Sequence, residues 1–245
     1  MTRPEVKPYH KNNMSKKSEV AMMFDKIAHR YDFLNHFLSL NIDKIWRKKA
    51  VKKLQHSKPQ TVLDIACGTG DLALTVSKRV GSEKITGIDI SQKMLEYGNK
   101  KIEKAGLSDR IHLQYGDSEN IEFENDSFDA VTAAFGVRNF QNLEKGISEM
   151  YRVLKPGGKL VILEFSQPQA FPIKPLYRFY FLKILPFIGK LFSKDRSAYS
   201  YLPESVLAFP YGEQFVSILL NVGFKDAEIQ SLALGIASIY SAEKN

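Results

Sequence analysis

Between Thr61 and Ser166 the chain alternates short β-rich apolar runs with helical ones, and this alternation limits the open folds more than any single residue does. TVLDIA (61–66) reads as a strand and GDLALTVSKRV as a helix. KITGIDI (84–90) reads as the next strand, and SQKMLEYGNKKIEKAG as a helix with Ser91 as N-cap and Gly106 as stop. RIHLQYGD (110–117), SFDAVTAAFG (127–136) and GKLVILEFS (158–166) read as further strands, with a helix near 142–153. Strands joined by helices pair in parallel and carry helices on both faces. After a helix over 212–221, FKDAEIQSLA and GIASIYSAEK lie close enough to pair antiparallel as the last two strands.

The flanks break this rhythm. Residues 1–17 lack periodicity and are expected to form a flexible tail, which leaves 18–245 as a single domain. Over 18–58 apolar residues recur at helical spacing, so two or three short helices should cap the sheet. Residues 1–58 hold 14 Lys and Arg against 5 Asp and Glu, whereas the remainder holds 21 against 22. A basic cap can face nucleic acid, an anionic membrane surface or only water. Residues 168–211 hold six of the ten prolines and eleven aromatics, so they read as an insertion of short helices serving as a substrate lid. Within it, PLYRFYFLKILPFIGKLF (175–192) is too apolar for an exposed loop unless it packs on the core or meets lipid. The single cysteine, the polar start MTRPEVKPYHKNNMSKK and the lack of any uncharged apolar run of about 18 residues read as a cytoplasmic chain, at most peripheral on the inner face of a membrane.

The turn after the first strand, LDIACGTGDL (63–72), carries the chemistry. A turn there lies at the carboxyl edge of the sheet, where open α/β sheets bind ligands. Gly68 and Gly70 permit a sharp bend and close backbone approach. A pyrophosphate-binding turn would carry G-x-G-x-x-G. Here the third glycine is missing and Asp64 and Asp71 flank the turn, which suits the ammonium and sulfonium of S-adenosylmethionine better than a pyrophosphate. Asp89 ends the second strand, where a carboxylate holds both hydroxyls of a ribose. Asp117 and Ser118 end the third, placed for the adenine amino group and ring edge. Cys67 reads as a small buried residue of the turn rather than a nucleophile.

With these residues in view the chain resembles the class I methyltransferases, and within them the quinone C-methyltransferases of ubiquinone and menaquinone biosynthesis. RVLKPGGKLVILEFS (152–166) is similar to one signature of that family and YDFLNHFLSLNIDKIW (31–46) to another, with Leu34 where Met is usual and Asp43 where His is usual. FGVRN (135–139) resembles the family's F-G-[apolar]-R-N, preceded by Ala134 where some members carry a cofactor-contacting serine. The resemblance covers about 19–243. It implies a Rossmann-like α/β fold with a seven-stranded, mostly parallel sheet of order 3-2-1-4-5-7-6, and cofactor contacts at Thr69, Asp89, Asp117 and Ser118. It also implies catalytic roles for Arg138 and Asn139 at the end of the fourth strand. Tyr31 and Asn35 of the signature stretch, with Tyr177 and Phe181 of the insertion, are expected to bind substrate, and Leu185 should continue the same helix face.

Methylating an aromatic carbon requires the ring to become nucleophilic, and a hydroquinone does this by losing a phenolic proton. A free phenol has a pKa of about 10, so the protein must help remove that proton or stabilise the anion. The histidines show no metal-ligand spacing and this chemistry needs no metal. The implied acceptor is demethylmenaquinol, with the benzoquinol of the ubiquinone pathway as the alternative. A nucleic-acid methyltransferase is disfavoured because AFGVRN stands where exocyclic amino methylation uses [N/D]-P-P-[aromatic], so no nucleic-acid partner is expected. A lipid-binding protein with a decayed site is disfavoured because the glycine turn, Asp89 and GVRN are all present. A homodimer is left open.

Overall fold

The computed structural model describes residues 6–11, 13–39, 41–184 and 196–245. Two helices come first, α1 (Lys16–Leu38) and α2 (Ile42–Lys52). The alternating region then runs β1 (Thr61–Ile65), α3 (Asp71–Val80), β2 (Lys84–Asp89), α4 (Gln92–Lys104), β3 (Ile111–Tyr115), β4 (Phe128–Ala134), α5 (Leu143–Val153) and β5 (Leu154–Phe165). The insertion contributes α6 (Ile173–Phe179), a π-helical stretch (Tyr180–Ile184) and α7 (Arg196–Ala208). The chain closes with α8 (Glu213–Val222), β6 (Lys225–Leu232) and β7 (Ala237–Glu243).

The seven strands form one sheet of order β3-β2-β1-β4-β5-β7-β6, as expected. β1 to β5 pair in parallel, and β7 runs antiparallel to both β5 and β6. The central strands are buried on both faces, so they read as continuous apolar runs. Leu63, Ile65, Val131 and Ile162 lie in one apolar cluster with α5 and α8, and Val62, Ile85 and Val161 lie in the other with α2 and α3. Ser91 caps α4 by accepting from Met94 N at 3.3 Å, and Gly106 takes the left-handed conformation after that helix.

Two expectations change. The cap is one long helix and one shorter one, because apolar positions of α1 continue through Phe24 and Ile27 without a break. The described part of residues 1–17 is packed rather than a tail. Glu19, fully buried, accepts hydrogen bonds from Tyr9 N at 2.6 Å and Lys11 N at 2.7 Å. Lys16 Nζ donates to Phe140 O at 2.8 Å. These polar anchors leave no periodicity for a sequence pattern to register.

Candidate active site

The site lies at the carboxyl ends of β1, β2, β3 and β4, beneath α1. β1 and β4 both leave the sheet through a left-handed, non-glycine residue, Ala66 (φ 52°) and Phe135 (φ 59°). Such conformations are costly and collect at functional sites. The two turns meet closely: a Cβ at Gly136 would lie 2.5 Å from the Cβ of Ala66. Gly68 (φ 55°) has open space where a side chain would project.

Two cavities share this edge. The first, a narrow cleft, is walled by Gly68, Ile88, Asp89, Ile90, Asp117 and Ser118, among others. The second is larger, about 320 Å³, and is walled by Tyr31, Asn35, Trp46, Arg138, Tyr177 and Phe181 among others. Phe24, Tyr31 and Phe135 wall both. The turn Val137–Asn139 divides its side chains, with Arg138 in the second cavity and Asn139 in the first.

In the first cavity Asp89 accepts from Gly68 N and Ser91 N, each at 2.8 Å. Burial nevertheless raises its pKa to about 6, against the pull of those backbone donors. Ile88, Ile90, Met94 and Phe140 give the same cavity an apolar lining, and Asp117 and Ser118 add polar groups to its wall. A ligand with a flat apolar ring, a polyol and a positive charge fits this wall, so the residues present suit adenosylmethionine. Lys17 from α1, also in this wall, pairs with Asp117 at 2.6 Å.

Three residues assigned to the cofactor do not wall this cavity. Asp64 is buried under the sheet edge, where Thr132 Oγ1 donates to its Oδ1 at 2.9 Å. Burial pushes its carboxyl up to about 7. Thr69 Oγ1 donates to Asp32 at 2.5 Å, and Gly70 (φ 78°) starts α3. Cys67 is buried as expected, and burial raises its thiol well above the ordinary value.

In the second cavity Arg138 is held by a group that sequence reasoning missed. Glu164, fully buried at the end of β5, accepts from Arg138 Nη1 at 2.8 Å and from Arg138 N at 3.2 Å. Arg138 Nη1 also donates to Phe135 O, and its guanidinium stands over the Phe165 ring. The available signal was a lone acid inside the apolar run LVILEFS. Burial keeps Tyr31, Tyr177 and Tyr201 above the ordinary phenol value, while the Arg138 charge opposes it. Tyr177 stacks on Phe181 with centroids 4.8 Å apart. Leu185 lies outside the described residues.

α1 also reaches both cavities, through Phe24 and Tyr31, and its acids escaped the sequence reading. Asp25 accepts from Ser91 Oγ at 2.7 Å, and Asp32 pairs with Lys101 at 2.5 Å. His36, Asp43 and Asp71 bring side-chain ligand atoms within 4.8 Å of one another, but Arg47 and Lys101 already face the two carboxylates, and no metal is assigned there.

Residues 12–244 match the ubiE/COQ5 methyltransferase family. The chain is 47% identical over 241 residues to a demethylmenaquinone methyltransferase of Bacteroides fragilis, covering 98% of each. It is 51% identical over 230 residues to the ubiquinone/menaquinone biosynthesis C-methyltransferase UbiE of Geotalea daltonii, covering 94% of this chain and 97% of that one. Among solved structures, a SAM-dependent methyltransferase of Thermotoga maritima, described as a possible histamine N-methyltransferase, superposes with a TM-score of 0.63 at 17% identity, covering 92% of this chain and 99% of that one. That last likeness is one of fold.

Proposed function

This chain belongs to the ubiE/COQ5 methyltransferase family, and we propose that it transfers a methyl group from S-adenosylmethionine to a ring carbon of a prenylated quinol, with demethylmenaquinol as the acceptor. The observation that carries the reading is the shared wall of the two cavities. Donor and acceptor held on either side would meet at Tyr31 and Phe135. The names of the relatives support the acceptor class.

When bound, adenosylmethionine supplies an electrophilic methyl group on a positively charged sulfur. Asp89 accepts the ribose hydroxyls, and Asp117 and Ser118 meet the adenine edge. Gly68 leaves room for the backbone to approach the methionine part. Arg138 cannot deprotonate and faces the acceptor cavity, where it stabilises the oxyanion that grows as the quinol loses its hydroxyl proton. Glu164 fixes the guanidinium, and Asn139 serves the donor side of the same turn. Tyr31 and Asn35, side by side in the wall of the acceptor cavity, orient the quinol head, and Tyr177 and Phe181 line the path of the tail. Most of the acceleration comes from holding methyl and ring carbon in line.

A long-tailed substrate resides in lipid, and the surface near the second cavity suits an anionic bilayer. Leu176, Phe179 and Leu182 of the insertion are exposed, as are Ile42 and Ile45 beside Lys44, Lys48 and Lys49 of α2. Apolar side chains next to lysines favour peripheral binding to such a surface. No helix among the described residues is long and apolar enough to cross a membrane.

The test is anaerobic incubation with isotopically labelled adenosylmethionine and each reduced quinol, followed by mass analysis. Label on the ring carbon of the naphthoquinol is expected. Label on the benzoquinol alone would reassign the acceptor, and label on neither would refute the reading.

A further inference from the structure

The acceptor cavity is rich in groups that hold protons and poor in groups that take them. Tyr31, Tyr177, Tyr180 and Tyr201 line it, and burial raises the pKa of each, so all four stay protonated in the neutral range. Arg47 and Arg138 also line it, and a guanidinium offers no lone pair. Among the described residues that wall the cavity, Asp43 is the one carboxylate. Tyr31 and Asn35 of α1, Ser39 of the connection, and Asp43 and Arg47 of α2 all line this space, so polar groups continue along its wall from the cavity junction to Asp43.

The carboxylate is held on three sides. Ser39 Oγ donates to its Oδ1 at 2.6 Å, while His36 Nδ1, at 2.8 Å, and Arg47 Nη1 reach its Oδ2. His36 Nε2 lies 3.6 Å from Asp71 on α3, which pairs in turn with Lys101 of α4 at 2.8 Å.

We propose that Asp43 is the catalytic base that accepts the quinol hydroxyl proton as the methyl group arrives, with His36 as the positioning residue that fixes its carboxylate. This rests on the quinol-methylation reading above. The sulfur–methyl bond breaks with its electron pair left on sulfur, and the carbon–methyl bond forms from the ring π electrons. The hydroxyl proton passes to Asp43, leaving a ring ketone whose tetrahedral carbon bears both hydrogen and methyl. That carbon then loses its proton to water, and Asp43 returns its own proton to the oxygen, so one proton is released overall. Burial raises the Asp43 pKa, but the Ser39 hydrogen bond and the Arg47 charge outweigh it and hold the group below the usual carboxylate range. A weak base suffices, because the hydroxyl grows strongly acidic as the ring takes up the methyl cation.

Asp43→Asn tests this. Trp46, the chain's only tryptophan, lines the same cavity, so its fluorescence reports quinol binding, and calorimetry reports adenosylmethionine binding. Both affinities should stay near wild type while kcat falls roughly 10²- to 10⁴-fold. With a fluorinated quinol already ionised at the assay pH, the base has nothing to do, and the loss should shrink to within about tenfold. An equal loss on both quinols, or no loss on the ordinary one, overturns the assignment. Should Arg47 destabilise the single variant once its counter-ion is gone, Asp43→Asn/Arg47→Gln removes both charges and carries the same comparison between substrates. His36→Asn, whose amide can reproduce the Nδ1 donor, should retain kcat where His36→Ala loses it; equal rates in the two overturn the positioning role. Wild type that labels no quinol refutes the methylation reading itself, an outcome distinct from any difference between variants.

Discussion

Glu164→Gln tests the pair that holds Arg138. Oε1 of Glu164 accepts from Arg138 Nη1 and from Phe165 N, each at 2.8 Å, and Oε2 accepts from Arg138 N at 3.2 Å. Glutamine keeps the shape but turns one acceptor into a donor. If its oxygen keeps the first two bonds, its nitrogen faces the Arg138 N–H, donor against donor. Arg138, whose side chain is only 7% exposed, also loses its counter-ion. Breaking a buried pair from one side costs about 3–5 kcal/mol. A chain of this length loses about 2–4 °C of melting temperature per kcal/mol, so Tm should fall by roughly 6–20 °C. Scanning calorimetry measures it. Arg138→Gln/Glu164→Gln should regain part of the loss, because no unpaired charge then remains in the interior. Quinol turnover should fall while adenosylmethionine affinity holds, since Arg138 walls the acceptor cavity and not the donor one. A single variant that melts within about 2 °C of wild type with turnover intact would refute this account of the pair.

Adenosylmethionine affinity should be full above about pH 6 and fall up to tenfold per pH unit below it, because Asp89, raised to about 6, must be ionised to accept the ribose hydroxyls. Calorimetric titration across that range checks it, and Asp89→Asn should bind more weakly with a flat profile; a flat wild-type profile would contradict it. Asp64, raised to about 7, favours the protonated form in the folded chain, so its contribution to stability is complete at low pH and lost as pH rises through about 7. Asp64→Asn should therefore melt increasingly above wild type as pH rises, and a constant difference between the two would count against it. Phe181→Asp places a charge at a ring stacked on Tyr177 and near Phe165, so it should lower Tm. It should also lower kcat/KM on long-tailed quinol far more than on a tail-less one, and an unchanged ratio between the two would remove Phe181 from the tail path.

The alternation of strand and helix, the glycine turn and the ends of β1 to β4 were legible in the sequence because each is a local signal. Periodicity, caps and left-handed positions act over a few residues, and the topology of parallel sheets then carries Gly68, Asp89, Asp117 and Arg138 to one edge. Tertiary structure alone decided which distant side chains meet there. Thr69 reads as a cofactor contact in the turn, yet its hydroxyl goes to Asp32, 37 residues earlier. Arg138 reads as a catalytic group at a strand end with no partner named, yet it is half of a pair completed by Glu164 on the neighbouring strand. Lys16 and Lys17 fall in the stretch that reads as a tail, yet together with Glu19 they anchor the start of α1 over the donor cavity. Asp43 stands out in the sequence only as a departure from a signature; its place as the carboxylate of the acceptor wall follows from how α1 and α2 pack over the sheet. Hydrogen bonds and ion pairs of this kind have no period along the chain. They exist only once packing brings their partners within about 3 Å.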